Sequence, residues 1–65
     1  MNITAIYIGQ DDPFYKKGTR YIVFVSHAYP FTIEQADDQP GKTERKYNSI
    51  KEFLEDWDKI AHIFE

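Results

Sequence analysis

Hydrophobic positions recur at every second residue through the N-terminal part of the chain, then at every third or fourth residue near its end. Ile3 to Ile8 is rich in Ile and Tyr and stops at Gly9, which predicts a strand. Gln10 to Thr19 carries the turn residues Asp11, Asp12, Pro13 and Gly18, so a long loop follows, with Phe14 and Tyr15 as its own aromatic pair. Lys17-Gly18 predicts a tight turn, because Gly reaches positive φ without a Cβ clash. Arg20 to Ser26 is the strongest strand. Tyr21, Val23 and Val25 point one way, Ile22 and Phe24 the other, and this two-sided apolar pattern predicts a central strand covered on both faces. Pro30 cannot donate to a ladder and predicts a bend over His27 to Pro30. Phe31 to Ala36 alternates, with Phe31 and Ile33 inward and Thr32 and Glu34 outward. Asp37 to Lys42 is a turn tipped by Pro40-Gly41, and Thr43 to Tyr47 is its hairpin partner at a sheet edge. There Glu44, Arg45 and Lys46 discourage edge-to-edge aggregation.

The period then changes. Ser49 with Glu52 three residues later forms the signature of a capping box, in which each side chain satisfies an orphan backbone donor. At about 100° per residue, Ile50, Phe53, Leu54, Trp57, Ile60, Ala61 and Phe64 fall in one stripe, so a long amphipathic C-terminal helix is expected, its stripe committed to the core. Ile63 falls outside that stripe. The expected fold is α+β in the order β-β-β-β-α: a small antiparallel sheet or partly open barrel of about four strands, closed by the helix, as one domain over residues 1–65.

Composition narrows the possibilities. With 65 residues the core is small, and the chain holds no cysteine, which excludes disulfides and thiolate zinc sites. Five Phe, five Tyr and one Trp make up 17% of the chain, and rings that each bury about 150–250 Å² compensate for the small size. No run approaches the roughly 20 apolar residues of a membrane span, and no signal-peptide pattern opens the chain, so no membrane partner and a cytoplasmic location are expected. The net charge is −3. Residues 1–46 carry six basic and six acidic residues, whereas residues 47–65 carry two against five, so the whole excess lies in the predicted helix. That balance does not favour a bulk attraction to nucleic acid.

Tyr7 to Gly9 and Lys17 to Val23 carry a "Y-x-G" strand end followed, after a loop, by "K-G-x-x-Y-x-V". In these residues the chain resembles the small SH3-like β-barrel proteins of Firmicutes phages and prophages. Asp37-Asp38-Gln39-Pro40-Gly41 resembles their hairpin turn. The resemblance implies an SH3-like sheet, a mobile-element origin and a binding role, and it transfers no catalytic residues. Typical members end in a short strand, where this chain is expected to end in a helix.

Candidate chemistry is sparse. Ser26 and His27 are strand neighbours whose side chains point to opposite faces, so they do not make a nucleophile and base. Asp58 and His62 are i,i+4 on the predicted helix, too few ligands for a closed metal site. Asp11, Asp12, Asp37 and Asp38 lack calcium-loop spacing and are read as turn-forming residues. No catalytic, cofactor-binding or metal-binding residue is assigned. Two surfaces remain. Glu52, Glu55, Asp56, Lys59 and Ile63 mark the back of the helix as an acidic docking face for a basic protein partner. Phe14, Tyr15, Lys16, Lys17 and Arg20, together with Lys42, Arg45 and Lys46, combine aromatic and basic residues in the manner of single-strand nucleic-acid binders. The first surface predicts a non-catalytic protein-interaction domain, of the phage accessory or inhibitor kind. The second predicts a nucleic-acid-binding barrel, which would have to gather both basic clusters and Phe14/Tyr15 on one surface. An enzyme is the remote alternative. The expected state is a monomer or weak homodimer, with Ile63 as the hint of a helix-mediated contact.

Overall fold

The computed structural model describes residues 1–26 and 31–62. The bend expected at His27 to Pro30 and the positions of Ile63, Phe64 and Glu65 lie outside these residues. Five strands and one short helix follow in the order β1 (Asn2–Tyr7), β2 (Arg20–Val25), β3 (Phe31–Gln35), β4 (Arg45–Tyr47), α1 (Ile50–Asp56) and β5 (Trp57–His62). The strands form one antiparallel sheet in the order β4-β3-β2-β1-β5, and the edge strands β4 and β5 do not pair with each other, so the sheet is not closed into a barrel. β1 to β4 fall where the alternation placed them, within two residues at each end. β4 is an edge strand and β2 is central, as expected.

The C-terminal part differs from the expectation of a long helix. α1 begins as predicted: Ser49 is its N-cap, and the Ser49 hydroxyl accepts the Glu52 N–H at 3.2 Å. The Glu52 carboxylate reaches back to accept the Asn48 N–H at 2.9 Å, one residue earlier than the usual box partner. The helix then ends after seven residues, where Trp57 turns extended at φ −134° and ψ 136°. From there the chain adds β5 to the free edge of β1, with Trp57 opposite Tyr7 and His62 opposite Ile3. Pairing satisfies the free backbone edge of β1, and it inserts Trp57 among Tyr7, Tyr15, Tyr21 and Phe53, with ring centroids 5.2–6.1 Å away. Helix propensity over 57–62 is weak enough for these tertiary gains to override it. β5 carries a bulge where Lys59 adopts φ 52° opposite the step from Thr4 to Ile6.

The core lies on one face of the sheet. Ile3, Ala5 and Tyr7 of β1, Val23 of β2, Phe31 and Ile33 of β3, Tyr47 of β4, Phe53 of α1, Trp57 of β5 and Tyr15 of the long loop are all buried. Among the described residues of the predicted helical stripe, Phe53 and Trp57 reach this core, and Ile50, Leu54, Ile60 and Ala61 are exposed. The two-sided burial expected of β2 is also not found, since Ile22 and Phe24 on its outer side are 45% and 44% exposed. One seven-residue helix and one loop cover a single face, and among the described residues no element packs over the other.

Candidate functional site

The long loop is held to the core face by Asp11 and Asp12, which the sequence marked as turn-forming residues, and by Tyr15, which it marked for nucleic-acid binding. Asp12 accepts the N–H groups of Phe14 and Tyr15, both at 2.8 Å, in an Asx-type turn, and Asp11 accepts the Lys17 N–H at 2.6 Å. Gly18 closes the predicted tight turn at φ 86°. Tyr15 is 1% exposed, and its hydroxyl donates to the Thr43 carbonyl at 2.8 Å. Burial therefore pushes the Tyr15 phenol above its ordinary pKa, partly offset by that hydrogen bond.

Arg45 is the centre of a polar network that the sequence reading missed as a unit. Its guanidinium pairs with Asp12, lies 3.5 Å from the Asp56 carboxylate and donates to the Tyr7 hydroxyl at 2.9 Å. It also sits 5.3 and 5.2 Å from the Tyr7 and Tyr15 ring centroids, within cation–π range. The Tyr7 hydroxyl in turn donates to the Gln10 carbonyl at 2.7 Å. The Tyr47 hydroxyl donates to Asp56 at 2.8 Å and accepts the Trp57 indole N–H at 3.1 Å. Burial disfavours charge on Arg45, yet its bonds to the Tyr7 and Tyr47 hydroxyls outweigh this and hold its pKa above the ordinary value. Burial likewise pushes the Tyr47 phenol up to about 12. Gly9 belongs to the same arrangement: a Cβ there would meet the Tyr7 hydroxyl at 2.6 Å and the Asp56 carboxylate at 2.7 Å, so the glycine of "Y-x-G" makes room for the network.

This network borders a depression of about 370 Å³ lined by Tyr7, Gln10, Asp11, Asp12, Arg45 and Asp56. Its charged groups are already engaged with one another, and no described buried side-chain polar atom lacks a partner. It binds the loop, β4 and the α1–β5 junction into one unit. A single Arg next to aromatic residues carries no signal for such a role in sequence; only the convergence of Asp12 and Asp56 on Arg45 does.

The basic-aromatic set is dispersed. Arg45 and Tyr15 are locked on the core side. Arg20 lies on the outer face, where its guanidinium donates to Thr4 Oγ1 at 2.9 Å and to the Lys59 carbonyl at 3.1 Å. Lys46 follows Arg45 in β4 and points to the outer side opposite Thr32, and Lys42 lies 3.8 Å from Asp38. Phe14, Lys16 and Lys17 are exposed on the loop. The two basic clusters and the aromatic pair therefore do not share one surface.

The acidic set is reduced but partly intact. Glu52 and Glu55 are exposed on α1, whereas Asp56 is half-buried in the Arg45 network and Lys59 sits in the β5 bulge. Ile50 and Leu54, one turn apart, are 56% and 50% exposed; about 100° per residue puts Glu55 next round the helix from Leu54 and Glu52 on the far side of Glu55. Asp58 and His62 are not helical neighbours: Asp58 lies opposite Ile6 on the outer face and His62 opposite Ile3 on the core side. Among the described residues, no group of three or more His, Asp or Glu side chains could hold a metal ion, and no helix is long and apolar enough to cross a membrane. Compared with known proteins, the chain matches no family model, no curated protein and no solved structure.

Proposed function

We propose that the chain is a small non-catalytic protein-interaction domain that docks through α1. The observation that carries this reading is the pairing of Ile50 and Leu54, half or more exposed, with the exposed carboxylates of Glu52 and Glu55 on one short helix. An apolar pair supplies contact area, and the carboxylates select a partner with a basic rim and speed its approach. The helix is pre-organised, because its N-cap is satisfied and Phe53 anchors it to Phe31 and Tyr47 with centroids 5.7 and 5.6 Å away. Asp56 contributes by fixing the helix end rather than by contact.

The finer reading, an SH3-like accessory or inhibitor protein of a phage or prophage acting in the cytoplasm, rests on the resemblance in Tyr7 to Gly9 and Lys17 to Val23. Affinity capture from nuclease-treated host lysate tests the function. Leu54→Lys and Glu55→Lys should each reduce recovery of the partner about tenfold or more, whereas Lys16→Ala with Lys17→Ala should not. Equal recovery with all variants would remove the helix from the interaction. Capture that disappears with nuclease would instead favour the nucleic-acid reading.

A further inference from the structure

The segment from Trp57 to His62 carries two conformational preferences. By its sequence it continues α1: Trp57, Ile60 and Ala61 extend the helical period of Ile50, Phe53 and Leu54. The end of α1 supplies little to stop it. Its last turn holds no basic residue, and Asp58, rather than Gly or Asn, follows the extended Trp57. Phe53 and Trp57, four residues apart, already stack with ring centroids 6.1 Å apart and an interplanar angle of 15°. Extending the helix through Trp57 keeps both rings on one face, because four residues at about 100° each return to nearly the same direction.

As a strand, the same segment is weakly held and locally strained. Beyond Trp57 every residue of β5 is exposed, so Asp58 to His62 add ladder pairing with β1 and little buried side-chain area. Ladder hydrogen bonds at an open edge compete with water and open at low free energy. Lys59 stands at φ 52° in the bulge, the one non-glycine residue among those described with a positive φ, a region that costs an L side chain free energy. Arg20 latches this bulge. Its guanidinium donates to the Lys59 carbonyl at 3.1 Å while it is also held on Thr4 Oγ1 at 2.9 Å. In a helix Lys59 regains a negative φ, and the Arg20 bond is given up.

We propose that residues 57–62 are a two-state switch: strand β5 on β1, latched by Arg20, exchanging with a continuation of α1. In the helical state the β1 edge from Ile3 to Ile6 is open. Ala61 then joins Ile50 and Leu54 within about 40° of arc on one helix face. The exchange therefore sets the length of the apolar strip that α1 offers. That consequence rests on α1 being the docking element; the exchange itself is a property of the free chain.

Carbon-13 chemical exchange saturation transfer on the free full chain tests the switch. The Cα resonances of Asp58 to Ala61 should show a minor state, on the order of 1%, with helical shifts, while the β1–β2 ladder keeps its strand shifts. Lys59→Gly accepts φ 52° and disfavours a helix, so it should reduce the minor population about fivefold or more. Arg20→Ala removes the latch and should raise it about fivefold. Minor-state shifts at random-coil values would mean release without a helix and would overturn the proposal. Absence of a minor state in both the wild type and Arg20→Ala also overturns it, as does a population that Lys59→Gly leaves unmoved. A helical minor state in a chain whose partner capture ignores Leu54→Lys would support the switch and sink the docking role of α1.

Discussion

The two sides of β2 have nearly the same composition and opposite fates. Val23 is fully buried and Tyr21 and Val25 pack against the core, while Ile22 and Phe24 remain nearly half exposed. The difference is one of supply. Among the described residues, a seven-residue helix, the long loop and Trp57 cover the sheet, and all three gather on one face. The apolar outer residues then mark a surface that is open for contact rather than a second core.

Substitutions on the two faces should separate by several kcal/mol. Trp57→Ala removes a ring that contacts Tyr7, Tyr15, Tyr21 and Phe53, and urea melts should show a loss of about 3–5 kcal/mol. An unchanged midpoint would mean that β5 does not seat Trp57 in the core. Arg45→Met leaves Asp12 and Asp56 without their cation and frees the loop, which should cost about 2 kcal/mol in the same melts. It should also expose the loop amides to faster hydrogen exchange. Phe24→Ala on the outer face, where the ring is 44% exposed, should cost about 1–1.5 kcal/mol at low micromolar concentration, well below the loss at Trp57. A large loss there would show that the outer face is covered after all.

Tyr47 offers a pH test of the core side. Its folded pKa, pushed up to about 12 chiefly by burial, lies above the ordinary 10.0, so the native state favours the neutral phenol. The stability this provides is complete below pH 10 and is lost as pH rises toward 12. Alkaline melts of the wild type should fall steeply over that interval, and Tyr47→Phe should fall less steeply from a lower starting stability. Parallel curves would remove Tyr47 from the alkaline transition.

The four N-terminal strands were legible because side-chain alternation is a local property, and because Gly9, Gly18 and Pro40-Gly41 punctuate it. The Ser49 cap was legible for the same reason. The end of α1 was not. Ile50, Phe53, Leu54 and Trp57 satisfy a helical period, and nothing within the segment announces that Trp57 will pair with Tyr7, fifty residues earlier in the chain. The candidate sites divide along the same line. Glu52 and Glu55 kept the exposure that their spacing predicts. Tyr15, Arg45 and Asp56 became interior partners, because the loop and β4 converge on the core face from positions remote in sequence.

Sequence alone determined the aromatic core material, the strand alternation, the helix cap and the absence of thiol chemistry, all of which depend on residue type and near neighbours. Tertiary structure decided where the helix stops, which face of β2 meets solvent, and that Arg45 holds the loop instead of a ligand. Those outcomes depend on which distant segments compete for one sheet edge and one apolar face, and a chain this short can satisfy only one of each.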